Sequence, residues 1–290
     1  MSLSSKITES VENFRGLRVK KAESLSGGCI SNAYKVTFED DNSFLIKINE
    51  NSPTDMFTKE AHGLQELRKA KAIKVPDVIL YEEKFILLDF INSGTKKKNF
   101  FEEFGRKFAQ MHKFTAGEFG FYEDNYIGST PQMNINDENT RKNWTSFYFN
   151  MRLLYQFQLA EKNGYADSCL RDAFKKIDGK IESILEGSDE KPSLLHGDLW
   201  SGNYMTDENG DACLIDPAVY YGNREADLAM TKLFGGFPSS FYNAYNEAFP
   251  LDEGWKYREN IYMLYHVLNH LNLFGSGYYA HALSLMKYYT

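Results

Sequence analysis

The sequence predicts an α+β chain of two unequal lobes, a small strand-rich one holding a single key helix and a larger, mainly helical one. Three observations predict it. Residues 19–90 read as strands around one helical stretch, residues from 99 onward recur mostly at helical spacing, and only 194–217 breaks that run with short apolar segments around Gly and Asp. The 290 residues suffice for a core in each lobe. We place the boundary so that 1–91 form the first lobe and 92–290 the second, with a ligand cleft between them.

Each element follows from local chemistry. Ile7, Val11 and Phe14 give a short N-terminal helical pattern. Residues 19–26 and 30–38 flank Gly27-Gly28 as a hairpin, and Asp40-Asp41-Asn42 turns the chain into Phe44-Leu45-Ile46-Lys47-Ile48. Alternation there puts Ile46 and Ile48 on one face, Leu45 and Lys47 on the other. A helix is expected to start near Pro53-Thr54, because Phe57, Ala61, Leu64 and Leu67 then recur at helical spacing. Strands over 77–82 and 85–90 end at Asn92-Ser93-Gly94, and helices are expected over 99–114, 143–162, 168–185, 225–234, 239–248 and 255–273.

Composition narrows the function. A net charge of −7 argues against nucleic acid as a partner, and Lys96-Lys97-Lys98 reads as a short solvated loop. Three cysteines without CxxC spacing fit a reducing compartment. No signal-peptide pattern precedes Phe14, and no apolar run approaches the ~20 residues that span a bilayer. A cytoplasmic chain with no membrane partner is expected. The 22 Phe and 19 Tyr are read first as core.

The decisive segment is His196-Gly197-Asp198-Leu199-Trp200-Ser201-Gly202-Asn203, followed by Ile215-Asp216-Pro217-Ala218. An Asp, an Asn five residues on and an Asp thirteen further reproduce the spacing of a kinase catalytic loop and its metal-binding acid, within a protein-kinase-like fold. A hydroxyl attacking a γ-phosphate needs a carboxylate to orient it and take its proton, a role open to Asp198. Mg²⁺ prefers hard oxygen ligands and takes few from protein, which suits Asn203 and Asp216. ATP and Mg²⁺ are therefore the expected cofactors.

Other parts fall where this chemistry needs them. Lys47, on the third strand, is placed to reach the α/β-phosphates, and Glu60 in the following helix to pair with it. Backbone N–H groups at Gly27 and Gly28 are expected to cover the phosphates, and the Asp89 carbonyl and Ile91 amide to meet adenine. Cys29, at that hairpin tip, is a candidate for a lowered pKa and for oxidation that blocks nucleotide or links two chains. Cys169 and Cys213 read as buried apolar fillers.

At these residues the chain resembles the fructosamine-3-kinase or ketosamine-3-kinase family. The likeness spans nearly the whole chain and includes Ser26-Gly27-Gly28-Cys29-Ile30, the helix segment from Phe57 to Leu64, His196 to Asn203, Ile215 to Gly222, Phe234-Gly235-Gly236-Phe237-Pro238 and Leu268 to Asn272. Thr130-Pro131-Gln132, Trp144 and Arg152 also fit. The resemblance implies phosphorylation of the 3-hydroxyl of a ketosamine, a ribulosamine, erythrulosamine or fructosamine adduct of lysine, free or on peptides and proteins. The unstable product then releases the amine, a deglycation. It also implies that Trp200 stacks on the sugar, a plain core Trp being the alternative, and that His196 braces the loop rather than moving protons.

Competing readings are a kinase of another small alcohol (an aminoglycoside, choline or homoserine) and a nucleotide-binding pseudokinase. Trp200-Ser201-Gly202-Asn203 favours the ketosamine group, and retention of Lys47, Glu60, Asp198, Asn203 and Asp216 opposes the pseudokinase. A protein kinase is opposed by the lack of Ala-Pro-Glu after Asp216. His266 and His270 have zinc-like i, i+4 spacing, but Val267 stands where the metalloprotease Glu belongs, so they read as helix-packing residues.

Overall fold

The computed structural model describes residues 3–25 and 31–290. Helix α1 (Ser5–Arg15) is followed by strands β1 (Val19–Leu25), β2 (Asn32–Phe38) and β3 (Ser43–Ile48), helix α2 (Met56–Lys69), and strands β4 (Val78–Glu82) and β5 (Phe85–Asp89). The strands form one antiparallel sheet in the order β1-β2-β3-β5-β4. Period-2 alternation sorts its two faces. Tyr34, Val36, Phe38, Phe44, Ile46, Ile48 and Leu87 pack with Ile7 and Val11 of α1. Ile86 and Leu88 point the other way, into the cluster that holds Phe57, Ala61, Leu64 and Leu67 of α2. Lys47 pairs with Ile86 in the ladder and so lies on the α2 side.

The second lobe begins with α3 (Phe100–His112) and a hairpin of β6 (Asn125–Ile127) and β7 (Thr130–Gln132). Short helices α4 (Glu138–Lys142) and α5 (Trp144–Tyr148) lead through a π turn (Phe149–Leu154) into α6 (Tyr155–Lys162). Next come α7 (Ser168–Asp178), α8 (Ile181–Ile184) and the strands β8 (Ser193–Leu195), β9 (Tyr204–Thr206), β10 (Ala212–Leu214) and β11 (Tyr220–Gly222). Helices α9 (Arg224–Leu233), α10 (Ser239–Ala248), α11 (Trp255–Phe274) and α12 (Tyr279–Lys287) complete it. Among the described residues no helix is long and apolar enough to cross a membrane.

Much of the aromatic content is core. Phe104, Phe108, Phe237 and Phe241 interlock between α3 and α10, and Phe157 stacks on Phe174 at 3.9 Å. Several expectations need correction. The helix expected over 143–162 contains the π turn, where Met151, Arg152 and Leu153 are buried in succession, more than one α-helical stripe covers. The helix expected over 168–185 breaks at Gly179-Lys180. Cys213 is buried, but Cys169 is exposed, because α7 turns Leu170, Ala173, Phe174 and Ile177 inward and leaves Cys169 on its outer face. The Lys96–Lys98 loop is exposed yet anchored: Lys96 sits 4.9 Å from both the Phe100 and Phe101 rings, and Lys97 pairs with Asp211 at 2.8 Å.

Candidate active site

Strand β8 delivers the chain into His196–Asn203, and the β9–β10 hairpin returns it at Asp216. Two backbone bonds close this unit, Ile215 N–H to the Asn203 carbonyl (3.1 Å) and Ala218 N–H to the His196 carbonyl (2.9 Å). Residues thirteen apart in sequence thereby become neighbours. Asn203 turns its Nδ2 to Asp198, donating to the main-chain carbonyl (2.8 Å) and to Oδ2 (3.1 Å). Gly197 has φ +82°, and a Cβ there would fall on the Ala218 carbonyl, so glycine is needed for the loop to lie against the Asp216 segment.

Asp198 is half-buried. Burial, then the neighbouring Asp216 carboxylate, push its carboxyl well above the usual range, while the Asn203 amide works against them. From the other lobe, Lys47 Nζ contacts Glu60 Oε1 at 2.6 Å and also the Asp216 carboxylate. Burial disfavours the Lys47 charge, but Asp216 and Glu60 more than offset this and hold its pKa above the ordinary lysine value. Lys47 thus joins Glu60 to Asp216, Asn203 holds Asp198, and the Ile215 N–H on the Asn203 carbonyl ties the two sets through the main chain.

His196 braces the loop, as expected. Its Nε2 bonds the Ile215 carbonyl at 3.0 Å and must carry the proton, since a carbonyl only accepts; Nδ1 accepts the Asp198 N–H at 3.3 Å. Burial, opposed by Asp227, lowers the His196 pKa and keeps the ring neutral. Sequence reasoning missed Asp227. It is 1% exposed and accepts N–H groups from His196 (2.7 Å) and Gly197 (2.8 Å), with His112 Nε2 at 3.2 Å. In the sequence it is one of two acids in the first turn of α9, which reads as favourable helix-end charge rather than as a loop anchor.

Trp200 is half-buried, packs edge-on against Phe234 at 5.4 Å and lies over Gly202, where any Cβ would strike the indole. Asp89 ends β5, opposite Phe44 of β3, and Ile91 follows with its side chain buried. Gly27, Gly28 and Cys29 lie outside the described residues. His266 is buried in α11, and His270 Nδ1 bonds the His266 carbonyl at 2.7 Å, as packing residues would.

The donor set fits a hard divalent ion. An amide whose nitrogen faces Asp198 presents its oxygen away from it, and the Asp216 carboxylate is 46% exposed. Among the described residues no group of three or more His, Cys, Asp or Glu is arranged to hold a metal. Such an ion would need to complete its shell with phosphate oxygens and water, as Mg²⁺ does.

A strand-rich lobe whose Lys47–Glu60 pair meets Asp216, next to the loop of Asp198 and Asn203, fits a protein-kinase-like phosphotransferase with a hydroxyl acceptor. A family model described as fructosamine kinase matches residues 2–290, and the chain belongs to that family. It is 40% identical to the chloroplastic protein-ribulosamine 3-kinase of Arabidopsis thaliana over 282 residues, 95% of this chain and 84% of the relative. A candidate fructosamine-3-kinase from Thermobifida fusca superposes with TM-score 0.89 at 29% identity, covering 99% of both chains. A thermostable aminoglycoside phosphotransferase mutant, solved with AMP-PNP and hygromycin B, shares the fold (TM-score 0.66, 17% identity, 98% and 97% covered).

Proposed function

We propose that this chain transfers the γ-phosphate of ATP to the 3-hydroxyl of ketosamines, the ribulosamine, erythrulosamine or fructosamine adducts of lysine. The carrying observation is that Lys47 joins Glu60 to Asp216 while Asn203 holds Asp198, the two sets being tied by the Ile215 N–H on the Asn203 carbonyl. The ribulosamine 3-kinase likeness supports the acceptor. Residues 1–91 bind nucleotide and residues 92–290 carry catalysis and substrate. Lys47, held by Glu60, draws the α/β-phosphates; Gly27 and Gly28 serve those phosphates, and the Asp89 carbonyl and Ile91 amide bond adenine. Asp198 orients the acceptor hydroxyl and takes its proton. Trp200 offers an apolar face to the sugar.

Asn203 and Asp216 are the side chains that hold Mg²⁺, which when bound neutralises charge on the transferred phosphoryl group. Because the 3-phosphate is unstable and releases the amine, the reaction is a deglycation, acting on free glycated lysine or on peptides and proteins. ATP consumption should be measured with ribulosyl-, erythrulosyl- and fructosyl-lysine, choline and an aminoglycoside. Turnover is expected with the ketosamines alone. Turnover confined to choline or the aminoglycoside would overturn the assignment.

A further inference from the structure

Against the segment that follows Asp216 lies a buried chain of amides that the reaction as written does not use. Gln132, at the end of β7, is 1% exposed. Its Nε2 donates to the Ala218 carbonyl (3.0 Å) and to Asn125 Oδ1 (2.9 Å), while its Oε1 accepts the Tyr265 hydroxyl (2.8 Å). Asn125, 4% exposed, donates through Nδ2 to the Val219 carbonyl at 2.7 Å. Asn134 Nδ2 donates to Asn125 Oδ1 at 2.9 Å, and Arg152 Nη2 donates to Asn134 Oδ1 at 2.7 Å. Every amide orientation in this chain is fixed by its neighbour. The tyrosine hydroxyl claims the Gln132 oxygen, which leaves Nε2 for Ala218, and Arg152 claims the Asn134 oxygen, which leaves Nδ2 for Asn125.

Its targets are specific. Ala218 and Val219 lie two and three residues past Asp216, and Ala218 also donates its N–H to the His196 carbonyl. Asp216 itself has φ +54°, a left-handed conformation uncommon outside glycine and better tolerated by Asp than by most residues. The β6–β7 hairpin supplies two amides, on Ala218 and Val219, that pin the downstream side of this turn. We propose that Gln132 is a positioning residue for the Asp216 carboxylate, acting through the Ala218 carbonyl, with Asn125 as its partner on Val219. The proposal rests on Asp216 holding Mg²⁺.

The test uses the full-length protein with Gln132→Met, which keeps side-chain length and removes both the donor and the acceptor. Binding of a non-hydrolysable ATP analogue is measured calorimetrically in Mg²⁺ and in EDTA, alongside thermal unfolding and steady-state kinetics. The expected result is unchanged binding in EDTA, loss of most of the Mg²⁺ enhancement, and a rise of about tenfold in the Mg²⁺ half-saturation of activity, the scale of one or two net hydrogen bonds. The KM for ketosamine should stay within about twofold, because only the metal-side carboxylate is displaced. A folded Gln132→Met with unaltered Mg²⁺ dependence overturns the proposal, as does a uniform loss of nucleotide, ketosamine and metal affinity. If Gln132→Met does not fold, Tyr265→Phe decides, since it removes only the hydroxyl that orients Gln132. A rise of about threefold in Mg²⁺ half-saturation supports the proposal, and none overturns it. Asp216→Asn serves as the control: unaltered Mg²⁺ dependence in that variant would strike the underlying reading, not the role of Gln132.

Discussion

Gly197 donates its main-chain N–H to the Asp227 carboxylate at 2.8 Å, which ties the loop bearing Asp198 to a helix thirty residues downstream. His196 N–H binds the same carboxylate at 2.7 Å, so the tip of the Asp198 loop hangs on one buried acid. Burial works against the Asp227 charge, yet its bond from His112, the fields of the His112 and His196 rings and the Gly197 N–H hold its pKa below the ordinary value.

Asp227→Asn should therefore damage both stability and rate. An amide has one accepting oxygen and brings an NH₂ among groups that donate, leaving a buried donor unsatisfied at a cost of about 2–3 kcal/mol. We expect a fall in Tm and at least a hundredfold fall in kcat, with nucleotide affinity within a few-fold of wild type. Denaturant unfolding and kinetics on the same preparation check this. Wild-type kcat in Asp227→Asn would show that the loop keeps its shape without the anchor.

Three buried histidines make stability depend on pH. Burial lowers the pKa of His112, His196 and His266, the last to about 3, and His266 Nδ1 has no hydrogen-bond partner among the described residues. Above the unfolded value near 6.5 both states are neutral and nothing is lost. As pH falls below it, the unfolded chain takes up protons that the native state refuses, and stability drops by up to about 1.4 kcal/mol per histidine per pH unit. Calorimetric Tm should decline from pH 7.5 to 5.5, and His266→Phe should make the decline shallower. A flat Tm across that window contradicts the assignment.

Much of this was legible in the sequence, for a physical reason. Local periodicity dictates β2, β3, α2 and β5, and the Asp198–Asn203–Asp216 spacing is itself local. The pairing of Lys47 with Glu60 follows once a strand and the next helix pack face to face. Asp227 and Gln132 were not legible as site residues, because their significance comes from long-range bonds to main-chain groups, which any sequence can offer. The β6–β7 hairpin is three residues per strand, too short for alternation to register. Cys169 was misjudged because burial depends on which face of α7 it occupies.

The packing of Trp200 on Phe234 at 5.4 Å leaves the indole half-buried. A ring that stacks on the sugar should matter to ketosamine and not to ATP. Trp200→Ala should raise ketosamine KM at least tenfold, given about 0.5–1.5 kcal/mol for an aromatic contact plus the area it covers, with nucleotide affinity unaltered by calorimetry. Trp200→Phe should recover part of the loss. Equal loss of both affinities would mark Trp200 as a core residue.

The most direct test of the account is single-turnover phosphoryl transfer to a ketosamine by Asp198→Asn, with nucleotide affinity measured in parallel. Asn keeps the shape of Asp198 and its contact with the Asn203 side chain but cannot accept the acceptor's proton. The account predicts a loss of about a hundredfold or more in rate with nucleotide binding close to wild type. Wild-type transfer by Asp198→Asn would contradict it.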